Sequence, residues 1–243
     1  MEFHQVLLVL AILTVAFLYS SVGHAGASGY IAVMALAGFS AASIKPSALV
    51  LNVLVASIGS FQFWHAGHFH WRHFWPFAVT SVPAAFLGGY LQLPEGFFRP
   101  LVGLVLYFSA AWLCYRRTDP LEVKPPAYPV ALGSGAGIGF LAGLTGTGGG
   151  IFLTPLILLR KWAFTRNAAA VSALFILVNS ISGLLGHLRG GRGIPSIAWP
   201  LAIAAVVGGI AGSYSGSKLF PVRVVRLMLA AVLVVAGSKL IFA

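Results

Sequence analysis

The sequence predicts an all-α polytopic membrane protein made of two homologous, inverted repeats. Of its 243 residues, 59% are hydrophobic and 8% are charged, whereas a soluble domain carries about 25% charged residues. Long apolar runs such as 6–20 and 227–235 suit helices in a bilayer. Weak internal similarity also relates the first part of the chain to the last, as expected for paired transmembrane repeats.

A polar linker separates the two predicted repeats. We assign 1–115 to the first repeat, 116–129 to the linker and 130–243 to the second repeat. The linker is proline-rich and is the longest polar stretch of the chain. Three pairs of segments carry the similarity between the repeats: "FLYSSVGHAGASGYIAVMAL" with "FLAGLTGTGGGIFLTPLILL", "LPEGFFRPLVGLVL" with "FPVRVVRLMLAAVL", and "KPSALVLN" with "TRNAAAVS".

Each repeat divides into five apolar segments. In chain order they are 5–21, 28–40, 47–65, 74–92 and 97–115, then 130–145, 150–160, 168–187, 197–216 and 222–242. The second segment of each repeat is too short for a full span, which needs about 20 residues. We expect a half-helix, a re-entrant piece or a span completed by neighbouring segments. If all segments cross, their odd number inverts the second repeat relative to the first.

The net charge of +11 follows the predicted topology. Loops on one side carry Arg72, Arg116, Arg117, Lys124, Arg160, Lys161, Arg166, Lys218, Arg223 and Arg226. Loops on the other side carry Lys45, Arg99, Arg189, Arg192 and Lys239. Basic residues favour the cytoplasmic side, so we expect both termini outside, in a bacterial plasma (inner) membrane. The charge therefore indicates topology rather than a nucleic-acid partner.

Glycines occur in two patterns that favour different roles. Small residues repeated every four positions favour close helix packing; they are Gly135, Gly139 and Gly143, and Gly208, Gly212 and Gly216. The stretch "GLTGTGGGIFLTPL" at 143–156 instead carries consecutive glycines. It is not a dinucleotide fingerprint, because Ile151 stands where the third glycine would fall, and no P-loop lysine follows.

Close packing and an unwound backbone are the two interpretations of "GLTGTGGGIFLTPL". Consecutive glycines would point to all sides of a helix, which favours an unwound backbone inside the membrane. Such a backbone needs a protein-lined or polar surrounding. The N–H groups at the start of the following half-helix would then form a site for an anion.

The second half resembles the TauE/SafE (sulfite exporter) permease family in "GLTGTGGGIFLTPL", "TRNAAAVSALFIL" and "IPSIAW". The resemblance covers nearly the whole chain. It implies membrane transport of sulfur-containing anions such as sulfite and sulfonates, or of other organic anions. The first half departs from the motif, since it has "GHAGASG" at 23–29 and Ala32 where Pro155 would align.

The candidate substrate-binding residues lie in the two glycine motifs or on the third segment of each half. They are Gly23, His24, Gly26, Ser28, Asn52, Gly146, Thr147, Gly148, Gly149, Gly150, Ser172 and Asn179. His24 would donate to an anionic oxygen or carry a coupling proton, or else bond a carbonyl freed by the glycines. For Asn52 and Ser172, which align between the halves, the alternative is ordinary hydrogen bonding between helices. Lys45 and Arg166 precede these segments and are expected at the membrane interface rather than on the anion.

Carboxylates are missing from every predicted segment interior. The four acidic residues are Glu2, Glu95, Asp119 and Glu122, at a terminus, a segment boundary or the linker. A carboxylate proton relay or an Asp-based sodium site is therefore not expected. A cationic substrate would also lack its usual partner, so the composition favours an anion.

These features predict a secondary transporter that moves a small anion by alternating access. An anion channel of the same fold and a membrane assembly protein without transport are the alternatives. We expect no catalytic residues and no cofactor. The histidine-rich "WHAGHFHWRHFW" at 64–75 could bind zinc, but its tryptophans favour an interface loop and no metal is expected. Membrane lipid is an expected partner, and small-residue helix faces leave a homodimer open.

Overall fold

The computed structural model describes residues 2–21, 25–114, 122–215 and 222–242. These residues form ten α-helices. They are α1 (Glu2–Ser21), α2 (Ala27–Leu36), α3 (Ala41–His65), α4 (Trp71–Tyr90), α5 (Glu95–Cys114), α6 (Tyr128–Thr145), α7 (Gly150–Leu159), α8 (Thr165–Arg189), α9 (Ala198–Ser215) and α10 (Val222–Phe242). Within that part of the chain, α3, α6 and α8 are long and apolar enough to cross a membrane. The predicted all-α polytopic membrane protein is confirmed.

The second helix of each half is short, as predicted. Both α2 and α7 contain 10 residues. At 1.5 Å per residue each is about 15 Å long, half of the ~30 Å hydrocarbon core. Each begins directly after a glycine in the left-handed region, Gly26 before α2 and Gly149 before α7. Each is therefore a half-helix that starts inside the bundle.

Corresponding helices of the two halves have corresponding packing partners. Helix α1 packs on α9, and α6 packs on α4. Similarly, α3 packs on α9, and α8 packs on α4. Across the halves, α3 also packs on α8, and α5 packs on α10. Exchanging the halves leaves this set of pairs unchanged, as an inverted repeat would require. The repeat and the domain boundaries stay predictions.

Glycines allow the close contact between α6 and α4. A Cβ atom on any glycine of the α6 stripe would collide with a backbone carbonyl oxygen of α4. The glycines are Gly135, Gly139 and Gly143, and the carbonyl groups belong to Phe77, Ser81 and Ala85. The periodic spacing on both helices confirms the packing role predicted for this stripe.

The contact between α1 and α9 is of the same kind. Gly208 and Gly212 of α9 lie against the carbonyl groups of Leu13 and Phe17. Gly216, the third glycine of this predicted stripe, lies outside the described residues. Contacts within the chain thus occupy the described parts of both small-residue stripes, and the homodimer stays a prediction.

Helix directions define two faces of the bundle. The Lys45 face carries the start of α3 and the ends of α4 and α8, because Lys45 Nζ donates hydrogen bonds to the carbonyls of Gly88 and Gly89. The His68 face carries the end of α3 and the start of α8, where Asn167 Nδ2 donates to the His68 carbonyl at 2.9 Å. The predicted topology places the His68 face in the cytoplasm and the Lys45 face outside.

Candidate functional site

The second-half glycine motif forms an irregular tip between α6 and α7. Its glycines Gly146, Gly148 and Gly149 have φ angles of 82°, 70° and 84°. Glycine adopts this left-handed region freely because it has no Cβ atom. Residues 142–150 are all buried. The predicted break in the helix, deep inside the bundle, is therefore confirmed.

The first-half motif forms a matching tip before α2. Gly26 has a φ angle of 91° and precedes the first helical residue. Ser28 is buried, and its Oγ lies 2.8 Å from the hydroxyl oxygen of Tyr19 on α1. Gly23 and His24, both predicted site residues, lie outside the described residues.

The two tips meet at a small buried cavity of about 30 Å³. Gly26 and Ser28 line it from the first half, and Thr147 and Ile151 line it from the second half. Neither half-helix has a side-chain cap at its N-terminus. The first N–H groups of a helix lack intrahelical partners and carry partial positive charge, so both starts are suited to hold an anion. The cavity is about the volume of one water molecule.

A pair of polar side chains borders the tip at Gly148. A Cβ atom placed on Gly148 would lie 2.8 Å from Ser180 Oγ and 3.2 Å from Asn52 Nδ2. Both side chains are completely buried. Asn52 Nδ2 donates to the Gly146 carbonyl at 3.2 Å, while Asn52 Oδ1 and Ser180 Oγ have no partner in the described part of the chain. Asn52 thus connects the first half to the tip of the second.

Ser180 was not among the predicted site residues. It lies on α8 eight residues after Ser172 and four after Ile176, which is the spacing of one helix face. Asn179 is adjacent, completely buried, and has no described partner for either amide atom. The third segment of the second half therefore contributes buried Ser180 in addition to the predicted Ser172 and Asn179.

Other candidate residues make contacts within their own half. Thr147 Oγ1 lies 3.0 Å from Thr145 Oγ1. Ser172 Oγ accepts a hydrogen bond of 2.7 Å from Thr154 of α7, which is the interhelical bonding considered as its alternative role. Gly150 starts α7 and allows close approach of Ile176, which a Cβ atom would meet.

Two glycines of the tip also serve packing. A Cβ atom on Gly146 would lie 3.0 Å from the Lys45 carbonyl oxygen of α3. One on Gly149 would lie 2.8 Å from Phe175 Cε1 and 3.1 Å from Ile138 Cγ2. Close packing and an unwound backbone therefore coexist in the motif, and Gly148 is the glycine next to the Asn52–Ser180 pair.

Thr154→Val tests the hydrogen bond that holds α7 to α8. The change keeps the side-chain shape and removes the donor to Ser172. We expect a loss of about 0.6 kcal/mol in unfolding free energy, the average found for hydrogen bonds between membrane helices. Equilibrium unfolding in mixed micelles would measure it. A loss of anion affinity without any loss of stability would instead place this pair on the substrate.

Lys45 is buried within α3, although the sequence placed it before the third segment; its position at the membrane interface stays a prediction. Helix α3 begins at Ala41 rather than at 47, so Lys45 lies inside its second turn. The side chain is only 6% exposed, and Nζ donates to the carbonyls of Gly88, Gly89 and Leu91 at 2.9, 3.0 and 2.9 Å. The ammonium group therefore satisfies carbonyl groups at the end of α4.

Arg166 is exposed at the start of α8, as expected for an interface residue.

The histidine-rich segment forms an exposed aromatic cluster. The rings of Trp64 and Phe69 are stacked with centroids 5.5 Å apart, and Trp71 meets Phe69 edge-on at 5.3 Å. Both tryptophans are more than half exposed. Exposed tryptophans at the end of a membrane helix are typical of the interface, which is the position that the sequence predicted for this loop.

A bundle of apolar helices with buried polar groups between two broken helices is the architecture of a membrane transporter. The sequence model of the family described as "Sulfite exporter TauE/SafE" matches residues 8–240. The chain belongs to this family.

Relatives support the same class. A "Probable membrane transporter protein" of Sinorhizobium fredii is 41% identical, over the full length of both chains. One of Methanocaldococcus jannaschii is 25% identical over 69% of this chain and 67% of its own. One of Bacillus subtilis is 29% identical over 43% of this chain and 38% of its own. No solved structure matches the chain significantly.

Proposed function

We propose that this protein is a secondary transporter that moves a small sulfur-containing or organic anion, such as sulfite or a sulfonate, by alternating access. The observation that carries the proposal is the meeting of two uncapped half-helix starts at one buried cavity. Two positive helix ends favour an anion between them. The Asn52–Ser180 pair adds hydrogen-bonding groups beside one of these starts.

The distribution of acidic residues supports an anionic substrate. Glu2 and Glu95 are the first residues of their helices, and Glu122 precedes α6. Asp119 lies in the linker, outside the described residues. Among the described residues, no carboxylate lines the cavity between the tips, so none there repels a negative charge or would pair with a cationic substrate.

The size of the cavity supports alternating access. A volume of about 30 Å³ suits one water molecule but not a four-atom oxyanion. The tips must therefore separate to admit substrate. Because α2 runs from its tip toward the Lys45 face and α7 runs toward the His68 face, we propose that the cavity opens to one face at a time as the halves rock.

Flux into proteoliposomes tests the proposed function. The purified protein should carry sulfite or a sulfonate and accumulate it against its gradient when a driving gradient is imposed. Empty liposomes provide the background. Flux that only dissipates a gradient would indicate an anion channel. A complete lack of flux for sulfite, sulfonates, sulfate and carboxylates would overturn the transporter assignment.

Asn52→Asp tests the charge preference of the site. The substitution preserves shape but places a carboxylate next to Gly148. We expect anion flux to fall at least ten-fold, which corresponds to about 1.4 kcal/mol of lost interaction. Gln5→Glu, an exposed position at the start of α1, adds the same charge far from the tips and should leave flux unchanged. Equal flux in the two variants would contradict an anion at Asn52.

A further inference from the structure

Another cavity opens at the Lys45 face, separate from the cavity between the tips. Its volume is about 560 Å³. Its walls are formed by the starts of α3 and α5, the ends of α6 and α8, and the loops beside them. The residues that line it include Lys45, Gln92, Leu144, His187, Arg192 and Gly193. This space is large enough for a hydrated polyatomic anion.

Basic side chains from both halves converge on this cavity. Lys45 comes from the first half, and His187 and Arg192 come from the end of α8 and its following loop. Arg192 donates to the carbonyls of Gly89 and Tyr90, so the guanidinium group is anchored beside the end of α4. No carboxylate among the side chains that the structure describes lines the cavity. Among these side chains, Arg192 therefore supplies a positive charge that no acidic group neutralises, and two further basic groups lie beside it.

Two nitrogen atoms in this cavity lack partners within the described residues. His187 is 3% exposed, its Nε2 lies 3.3 Å from the Gly193 carbonyl oxygen, and its Nδ1 has no partner. Arg192 Nε is also buried and without a partner. Leaving a buried donor unsatisfied costs free energy. An oxyanion that accepts from Arg192, and from His187 when the imidazole carries both protons, would remove that cost.

Residues of the cavity lie on the same faces of α3 and α8 as the polar pair at the tips. Asn52 follows Lys45 by seven residues on α3, and Ser180 precedes His187 by seven residues on α8. Seven residues are two helical turns, about 10.5 Å, and return to the same helix face. Leu144, just before the tip, lines the cavity and is 6% exposed. An anion in the cavity would thus lie about two helical turns from the Asn52–Ser180 pair.

We propose that the cavity lined by Lys45, His187 and Arg192 is a second anion-binding site, which selects oxyanions at the Lys45 face and delivers them to the tips. Only the delivery step rests on the proposed transport function; binding does not. Two or more oxygen atoms on the anion would match the separate donors of Arg192 and His187. Lys45 contributes charge, while its three hydrogen bonds hold the end of α4 in place.

Calorimetric titration of the detergent-solubilised protein with sulfite tests the site. Arg192→Gln and His187→Gln should each weaken sulfite binding at least ten-fold. Arg192→Lys should retain most of the binding, because it keeps the charge. Arg189→Gln is the matched control, since Arg189 is exposed at the same end of α8 and does not line the cavity. A thermal unfolding scan of each variant checks that it is folded before its sulfite binding is compared with that of the wild type.

Two results would overturn the proposal. One is unchanged sulfite binding in folded Arg192→Gln and His187→Gln. The other is an equal loss of binding in Arg189→Gln, which would show that net charge alone explains the loss. Failure of the transport function has a different signature: wild-type protein would bind sulfite in the titration yet carry no flux in proteoliposomes. Binding retained in the Gly148→Ala variant, with flux lost, would support two separate sites.

Discussion

Gly148→Ala should reduce anion flux by at least about ten-fold, an effect of ~1.4 kcal/mol on the rate. The added methyl group would lie 2.8 Å from both Ser180 Oγ and Ile176 Cγ2 and 3.2 Å from Asn52 Nδ2. It would fill the space beside the polar pair that the substrate is proposed to use. The φ angle of 70° adds a backbone cost of roughly 1–2 kcal/mol for an L-residue. Initial rates of sulfite uptake into proteoliposomes would measure the loss.

Gly38→Ala separates the backbone cost from the filling of the site. Gly38 has a φ angle of 84°, and a Cβ atom there meets nothing within 4 Å. We expect Gly38→Ala to lower stability by a similar backbone cost but to leave flux intact.

The more severe Gly148→Leu and Gly149→Leu should abolish transport while the protein still inserts into the membrane. Unchanged flux in these variants would remove the tip from the substrate pathway.

Gly139→Leu should destabilise the fold more than any other single change considered for this protein. A Cβ atom on Gly139 already collides with the Ser81 carbonyl oxygen and lies 2.7 Å from Ser81 Cβ. Backbone atoms of a packed helix cannot rotate away, so α6 and α4 would have to separate along their length. Overpacking costs typically 1–3 kcal/mol, and we expect the loss to reach or exceed ~3 kcal/mol here. The fraction of monodisperse protein and the midpoint of thermal unfolding would report it.

Gly137→Leu is the control on the same helix. Gly137 is exposed, and a Cβ atom there meets nothing within 4 Å. Leucine is a better helix former than glycine by close to 1 kcal/mol, so this variant should be at least as stable as the wild type. If the two leucine variants unfolded at the same temperature, the α4–α6 contact would not limit stability.

Local sequence patterns predicted most of the fold. The apolar segments agree with the helices to within a few residues, except at the start of α3. The short second segments and the glycine-rich break between α6 and α7 are also present. These features were predictable because hydrophobic length and glycine conformation are local properties of the chain.

The missed features depend on contacts between residues distant in sequence. Lys45 pairs with carbonyls 43 to 46 residues away, and no local pattern indicates that the end of α4 lies beside the start of α3. Ser180 is one of many serines in apolar segments, and only its position next to Gly148 distinguishes it. Arg192 looked like an ordinary loop charge, because the walls of its cavity come from four separate parts of the chain.

Helices of the first half pack on helices of the second half, and this has a consequence for insertion into the membrane. Helix α1 packs against α9, and α4 packs against α6. When the first half leaves the ribosome, α1 and α4 both lack the neighbours that their closely packed faces require. Such helices must remain in contact with lipid, as independently inserted spans, until the second half has been synthesised. A first half made alone would offer these unmatched faces to quality-control proteases, whereas two halves supplied as separate chains should assemble into one bundle.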